Sequence, residues 1–343
     1  MGKFIIVGQG VAGTLLAFEL ERRGIDFELR DNNQNHSSSV AAGIMNPVVF
    51  RRLTKTWNLD ECWDLAIGTY KSLEEKLGER FLYVRPMRRL FASEQEFGFW
   101  EEKTQKPDFQ KYIAQFPPDD KCPHYALNTY GNGLVRKVYN IDVQKFLNTA
   151  RSYFTSNGKL STQDVDYAEI LAETEDCSYC GAIFCQGYKN FENPFFKKLP
   201  VQNTKGQLIT IKSGELSEHE LLNRKCFVLP VGNQLFRVGA TYEWENTSLN
   251  TTEAARIQIL EKLKSLTNAT FDVVEQHAGI RPTTPDRRPI LGRHPEYDKL
   301  FILNGLGTKG YLLAPWCVQH LCKHIFEGSP ISDEVNLQRF KVI

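Results

Sequence analysis

The feature that most constrains this chain is Gly8-Gln9-Gly10-Val11-Ala12-Gly13, set between two different periodicities. Lys3-Phe4-Ile5-Ile6-Val7 before it reads as a buried strand. Val11 to Arg23 after it reads as a helix ended by Gly24. A further strand from Ile25 to Arg30 leads to Asp31, eighteen residues past Gly13. A strand, a glycine turn, a helix and a second strand with an acidic end form the first unit of a dinucleotide fold. Gly8 permits the turn, Gly10 lets backbone reach a pyrophosphate, and Gly13 lets the helix pack close to the sheet. Val11 and Ala12 open the helix, whose free N–H groups and partial positive charge suit phosphate. Asp31 is expected to accept hydrogen bonds from a ribose diol. These thirty-one residues do not separate FAD from NAD.

The same pattern returns near the other end. Gly305-Leu306-Gly307-Thr308-Lys309-Gly310 follows a strand, Leu300 to Asn304, and precedes a helix running to Phe326. No strand with an acidic end follows it, so it is not a second nucleotide unit. It reads as an anion-stabilising helix start with Lys309 beside it, or as a tight turn with a solvent-facing lysine. Pro315 falls in the early turns of that helix, where a missing N–H is expected to be tolerated.

Between the ends, residues 57–77 carry apolar side chains at helical spacing, residues 80–135 look irregular, and Ile141 to Phe154 is helical. Pro117-Pro118 and Gly131-Asn132-Gly133 act as breakers in the irregular part. Gly181 to Cys185 is a short buried strand. Gln207 to Ile211, Cys226 to Pro230 and Leu235 to Gly239 look antiparallel, with a turn at Gly232-Asn233, and Thr252 to Leu266 is a helix. The expected fold is α/β plus α+β: a Rossmann-like domain from 1–80, 136–198 and 275–343, interrupted by a mostly antiparallel substrate domain from 81–135 and 199–274.

With 343 residues the chain is large enough for two such units, and its net charge of +1 does not point globally to nucleic acid or an anionic membrane. No apolar run is long enough to span a bilayer or to act as a signal peptide, so a cytoplasmic protein with eight reduced cysteines is expected. Cys177 and Cys180 have redox or zinc spacing but no second pair, and are read as a chance pair. The sequons at Asn246, Asn250 and Asn268 mean little in that compartment. His320 and His324, one turn apart without a third ligand, are read as an exposed helix face, and no metal is expected. His277 is a candidate for the pocket. The clusters Arg51-Arg52, Arg85 with Arg88-Arg89, and Arg287-Arg288 are read as solvated charge.

Three further segments carry a family resemblance. Ser37 to Pro47, the segment Ala278-Gly279-Ile280-Arg281-Pro282 continuing to Gly292, and Gly305 to Pro315 resemble the D-amino-acid oxidase superfamily. The closest motifs are those of glycine oxidase and of the oxidase half of the bifunctional tRNA wobble-uridine modification enzyme. The resemblance implies an FAD cofactor with Ser38, Ala42 and Gly43 along its pyrophosphate and ring. It implies that Gly305, Gly307, Thr308, Lys309 and Gly310 form the flavin loop, and that Arg281 clamps a substrate carboxylate. Thr308 stands where glycine oxidase-like sequences carry arginine, and Phe227 lies near the place of a substrate-contacting tyrosine. No cysteine lies near Arg281, so non-covalent FAD is expected.

The implied reaction is FAD-dependent dehydrogenation or deamination of a small carboxylate-bearing amine, such as glycine, a D-amino acid or an N-alkyl amino acid. Hydride passes to flavin N5, with oxygen or a quinone as acceptor and Lys309 as helper. Removal of a carboxymethyl group from a tRNA wobble uridine is the alternative, against which the near-neutral net charge argues and for which the last loop, Thr308 followed by Lys309, argues. A non-catalytic FAD-binding redox sensor is the alternative of another class.

Overall fold

The computed structural model describes residues 2–34, 37–117, 120–245 and 247–341, so Pro118 and Asn246 lie outside the described residues. A six-stranded sheet runs, edge to edge, through Ile290–Arg293, Leu300–Asn304, Gly181–Phe184, Phe4–Val7, Phe27–Arg30 and Leu160–Ser161. All neighbours are parallel except the first pair. Phe4 and Ile6 point to one core with helices Val11–Arg22, Leu59–Leu77 and Gly310–Glu327, while Ile5 and Val7 point to another with Ile170, Phe184 and Phe196. Burial on both faces is why this strand is an unbroken apolar run.

The second sheet is nine-stranded and mainly antiparallel. Its order is Asp272–Thr283, Gln202–Lys212, Leu235–Gly239, Phe227–Gly232, Leu221–Asn223, Leu82–Leu90, Asn132–Ile141 and Ile44–Met45, with Ile113–Ala114 also on Asn132–Ile141. Helix Glu253–Lys264 packs through Ile259 and Leu263 against Ile209, Ile211 and Val238 of this sheet, and the Thr252 hydroxyl caps it by accepting from the Ala255 N–H. We propose the two sheets as the cores of a nucleotide unit and a substrate unit. Strands Asn132–Ile141 and Asp272–Thr283 run across the divisions expected at 136 and 275.

The segment expected to be irregular is ordered. It holds the two long paired strands Leu82–Leu90 and Asn132–Ile141 and the helix Glu94–Thr104. Pro86 falls at a register shift in the first of these strands, and Arg88 and Arg89 in it are buried. Arg88 pairs with Asp120 and Glu220, and Arg89 with Glu96, so these arginines are internal braces and not solvated charge. The Arg51 side chain lies outside the described residues.

Pro315 needs a different account from the one expected. It sits past the first turn of helix Gly310–Glu327, so the carbonyl left without an N–H is that of Tyr311. The buried Tyr70 hydroxyl donates to that carbonyl at 2.8 Å. His320 and His324 also differ from a simple exposed face. The His320 ring stacks on Trp316 and its Nε2 accepts from the Ser332 N–H, while His324 Nδ1 bonds the Ser329 carbonyl. Among the described residues no group of three or more histidine, cysteine or acidic side chains is placed to hold a metal. No helix among them is long and apolar enough to cross a membrane.

Candidate active site

The first glycine loop lies between two cavities. Gly8 and Asp31 line a smaller one of about 340 Å³, and Gly10, Val11 and Ala12 line a larger one of about 910 Å³. Gly13 lines neither. A Cβ on Gly13 would lie 1.8 Å from the Gly8 carbonyl oxygen, so its role is close packing of the helix on the turn. Gly8 has φ +100°, and a Cβ there would lie 2.8 Å from the Cys185 carbonyl.

The Asp31 carboxylate accepts from the backbone N–H groups of Gln9 at 2.9 Å and Asn33 at 2.8 Å, and pairs with Arg151 at 3.0 Å. It therefore rigidifies the turn as well as bordering the smaller cavity. Arg151, from helix Val143–Ser156, was not legible in the motif, because its contact with Asp31 spans 120 residues.

Ser38 joins the loop after the second strand to the first helix. Its hydroxyl accepts from the Val11 N–H at 3.0 Å, and its carbonyl accepts from the Tyr311 hydroxyl at 2.9 Å. Ser38, Ala42 and Gly43 all line the larger cavity. Bare backbone is needed here: a Cβ on Gly10 would lie 3.0 Å from Ser38 Oγ, and one on Gly43 2.2 Å from the Ile141 carbonyl. A cavity on each side of a bare helix start, the larger mainly apolar in its lining, fits an extended dinucleotide bearing a bulky planar ring.

The second loop borders the same larger cavity. Gly305, Gly307, Thr308, Lys309 and Gly310 all line it, and a Cβ on Gly310 would lie 3.4 Å from Val11 Cγ1. The starts of the two helices thus face one space. Lys309 is half-buried and is not the solvent-facing lysine of the blander expectation. Its ammonium donates to Thr56 Oγ1 at 2.6 Å, and that hydroxyl donates to the Asn46 carbonyl at 3.0 Å. Burial without an acidic partner lowers the Lys309 pKa to about 8. Thr56 had no signal in the sequence.

Arg281 enters the cavity from strand Asp272–Thr283, directly opposite Thr204 on Gln202–Lys212. Its guanidinium donates to the Thr241 carbonyl at 3.2 Å and the Lys205 carbonyl at 3.4 Å, and lies 4.4 Å from the centre of the Tyr242 ring. Among the described residues it forms no ion pair with a carboxylate, and burial pushes its pKa below the ordinary value. Phe227 lines the same cavity; His277 does not, being exposed and paired with Glu275. Gly206 and Tyr242 went unread. Gly206 alone left a trace, as an isolated glycine inside a strand pattern.

The lining has one sign of charge. Lys55, Arg224, Lys225, Arg287 and Arg288 join Arg281 and Lys309, and among the described residues no aspartate, glutamate or histidine lines it. Tyr242 and Trp244 stand at this cavity with 60 % and 55 % of their surface exposed. A net charge of +1 conceals this local excess.

Comparison with known proteins places this geometry in context. A family model described as FAD dependent oxidoreductase matches residues 3–323. The chain is 30 % identical to glycine oxidase of Bacillus subtilis, over 91 % of this chain and 89 % of that protein. It is 43 % identical to the tRNA 5-methylaminomethyl-2-thiouridine biosynthesis bifunctional protein MnmC of Acinetobacter baylyi, over 98 % of this chain but only 56 % of that protein. The chain thus spans little more than half of this bifunctional relative. Its fold matches the crystal structure of glycine oxidase from Geobacillus kaustophilus with a TM-score of 0.79 at 18 % identity, covering 100 % of this chain and 99 % of that one.

Proposed function

This chain belongs to the FAD-dependent oxidoreductase family, and from that premise we propose that it oxidises a carboxylate-bearing amine at the carbon next to nitrogen. The observation that carries the substrate class is Arg281, a desolvated guanidinium facing a cavity in which no acidic side chain among the described residues neutralises it. Such a group binds a planar carboxylate in two parallel hydrogen bonds and so orients the carbon attached to it. Bound FAD supplies a two-electron acceptor for the hydride that leaves that carbon.

The remaining steps belong to the protein. The amine gives up its proton to water before oxidation and the imine product is hydrolysed by water, since among the described residues no aspartate, glutamate or histidine lines the cavity. Lys309 and the start of helix Gly310–Glu327 border the same cavity and would offer positive charge to a reduced, anionic flavin. FAD is held without a covalent bond. Cys185 and Cys226 line the cavity, and burial pushes both thiols up, Cys226 to about 12, which suppresses the thiolate needed for attachment. The electrons pass on to oxygen or a quinone.

The test is Arg281→Ala. Leaving a substrate carboxylate buried without its partner should lower kcat/KM for carboxylate substrates by about two to three orders of magnitude, with FAD content unchanged. An otherwise similar neutral amine should be affected far less. Equal loss for both, or no loss for either, removes the carboxylate assignment.

A second reading is favoured by the cationic lining with exposed Tyr242 and Trp244: the carboxylate-bearing amine is carried on an RNA, with phosphates on the basic residues and bases on the aromatic rings. Anaerobic flavin bleaching separates the two readings. A modified RNA that bleaches at micromolar concentration, with strong salt dependence, supports the second. Bleaching only by free amines supports the first.

A further inference from the structure

The position of Arg281 is set by very few atoms. Two carbonyls, of Lys205 and Thr241, accept its hydrogen bonds at the long end of the usual range, and one aromatic face, that of Tyr242, covers it. The underside of the guanidinium rests on Gly206, two residues along the neighbouring strand from Thr204, which is the register partner of Arg281. A Cβ built on Gly206 would lie 1.9 Å from Nη2, 2.3 Å from Cζ and 2.4 Å from Nη1 of Arg281. No other residue is among its three nearest contacts. The backbone of Gly206 is not in the left-handed region, so its need for glycine does not come from φ. It comes from what lies on top of it.

We propose that Gly206 is a positioning residue that determines substrate specificity by setting how far the Arg281 guanidinium stands from the sheet. This rests on the carboxylate-binding role argued above for Arg281. The flat guanidinium occupies the volume that any side chain at 206 would fill. The Tyr242 ring centre lies 4.4 Å from it, so the charged group sits in a slot bordered by the strand and an aromatic ring. Ordinary contact between heavy atoms is about 3.5 Å, so a single methyl at 206 displaces the guanidinium by about 1.5 Å. The strand itself is not disturbed, because the clash is with the free end of a long side chain. A shift of that size moves the carboxylate relative to the carbon being oxidised, and about 1 Å of misplacement is worth about 100-fold in reactivity. The slot therefore fixes the reach from carboxylate to reacting carbon.

The experiment uses the holoenzyme and a small carboxylate, acetate, whose dissociation constant is read by calorimetry without turnover. Four proteins are compared: the parent, Gly206→Ala, Arg281→Ala, and the double variant. Gly206→Ala is expected to weaken acetate binding about 100-fold, with FAD content and thermal midpoint unchanged. Arg281→Ala is expected to do the same or more. The double variant should bind no more weakly than Arg281→Ala alone, because a methyl at 206 has nothing left to displace. On carboxylate amines, Gly206→Ala should also change the preferred chain length, a change that general destabilisation does not produce.

Two results overturn the proposal alone: Gly206→Ala binding acetate as the parent does while Arg281→Ala is impaired, or losses that multiply in the double variant. Loss of fold in Gly206→Ala that the double variant does not relieve overturns it too, because the conflict would then lie elsewhere than at Arg281. Arg281→Ala binding acetate normally is a different failure, since it removes the carboxylate reading on which the proposal rests.

Discussion

The two Gly-x-Gly-x-x-Gly loops are identical in pattern and meet in space, yet their glycines answer to different demands. At the end of Gly8–Gly13 the requirement is steric. The last glycine leaves 1.8 Å between a would-be Cβ and a backbone oxygen that has nowhere to go. In Gly305–Gly310 the middle glycine has φ +56° with nothing within 4 Å of its Cβ position, and the last leaves an ordinary 3.4 Å to a side chain. Close packing on backbone makes Gly13 obligatory, whereas left-handed backbone alone demands glycine at Gly307. The same six-letter pattern therefore carries a nucleotide seat in one place and, as we propose, an electrostatic support in the other.

Substitutions can separate the loops in order of size. Gly13→Ala should be the most severe, costing 4–5 kcal/mol or more on the order of the largest single-site effects, with loss of FAD from whatever still folds. Calorimetric unfolding together with flavin content checks it.

Lys309→Met comes next, with the opposite sign. The folded-state pKa of about 8 lies below the ordinary 10.5, so between those values the unfolded chain holds more protons and stability of the parent rises with pH. At pH 7 the buried charge is a full penalty. The variant should gain up to ~3 kcal/mol in the FAD-free chain at neutral pH, a gain that fades from pH 8 to 10.5. A gain that is independent of pH would mean packing, not charge, is responsible.

Gly307→Ala should cost ~1–2 kcal/mol for the left-handed backbone. Gly310→Ala should lie within ~0.5 kcal/mol of the parent. If Gly310→Ala proves as damaging as Gly13→Ala, the distinction between the loops fails.

What could be read in the linear chain follows the range of the interactions. Gly8 to Asp31 is a local unit whose turn, helix and strand are adjacent in sequence, and it is seen where it was expected. The strand Leu82–Leu90 is the opposite case. Its Arg88 and Arg89 look like surface charge, yet the burial of Arg88 depends on acids at 120 and 220 that no local window contains. Pro86 hides the strand further by sitting at a shift in register. The site divides the same way. Arg281 lies within a segment that resembles a family signature, whereas Gly206, Thr56 and Arg151 are brought to the site by contacts spanning 75, 253 and 120 residues. Those contacts exist only once segments distant in sequence are packed together.

The Tyr70 hydroxyl on the Tyr311 carbonyl carries an evolutionary consequence. Losing that hydroxyl alone strands a buried carbonyl at ~1–3 kcal/mol. Replacing Pro315 restores the helix's own N–H and makes the hydroxyl dispensable. Positions 70 and 315, far apart along the chain, therefore share one fate. In descendants of this sequence a phenylalanine at 70 should be inherited together with a residue other than proline at 315, and a lineage that acquires the two changes in the reverse order passes through the milder intermediate.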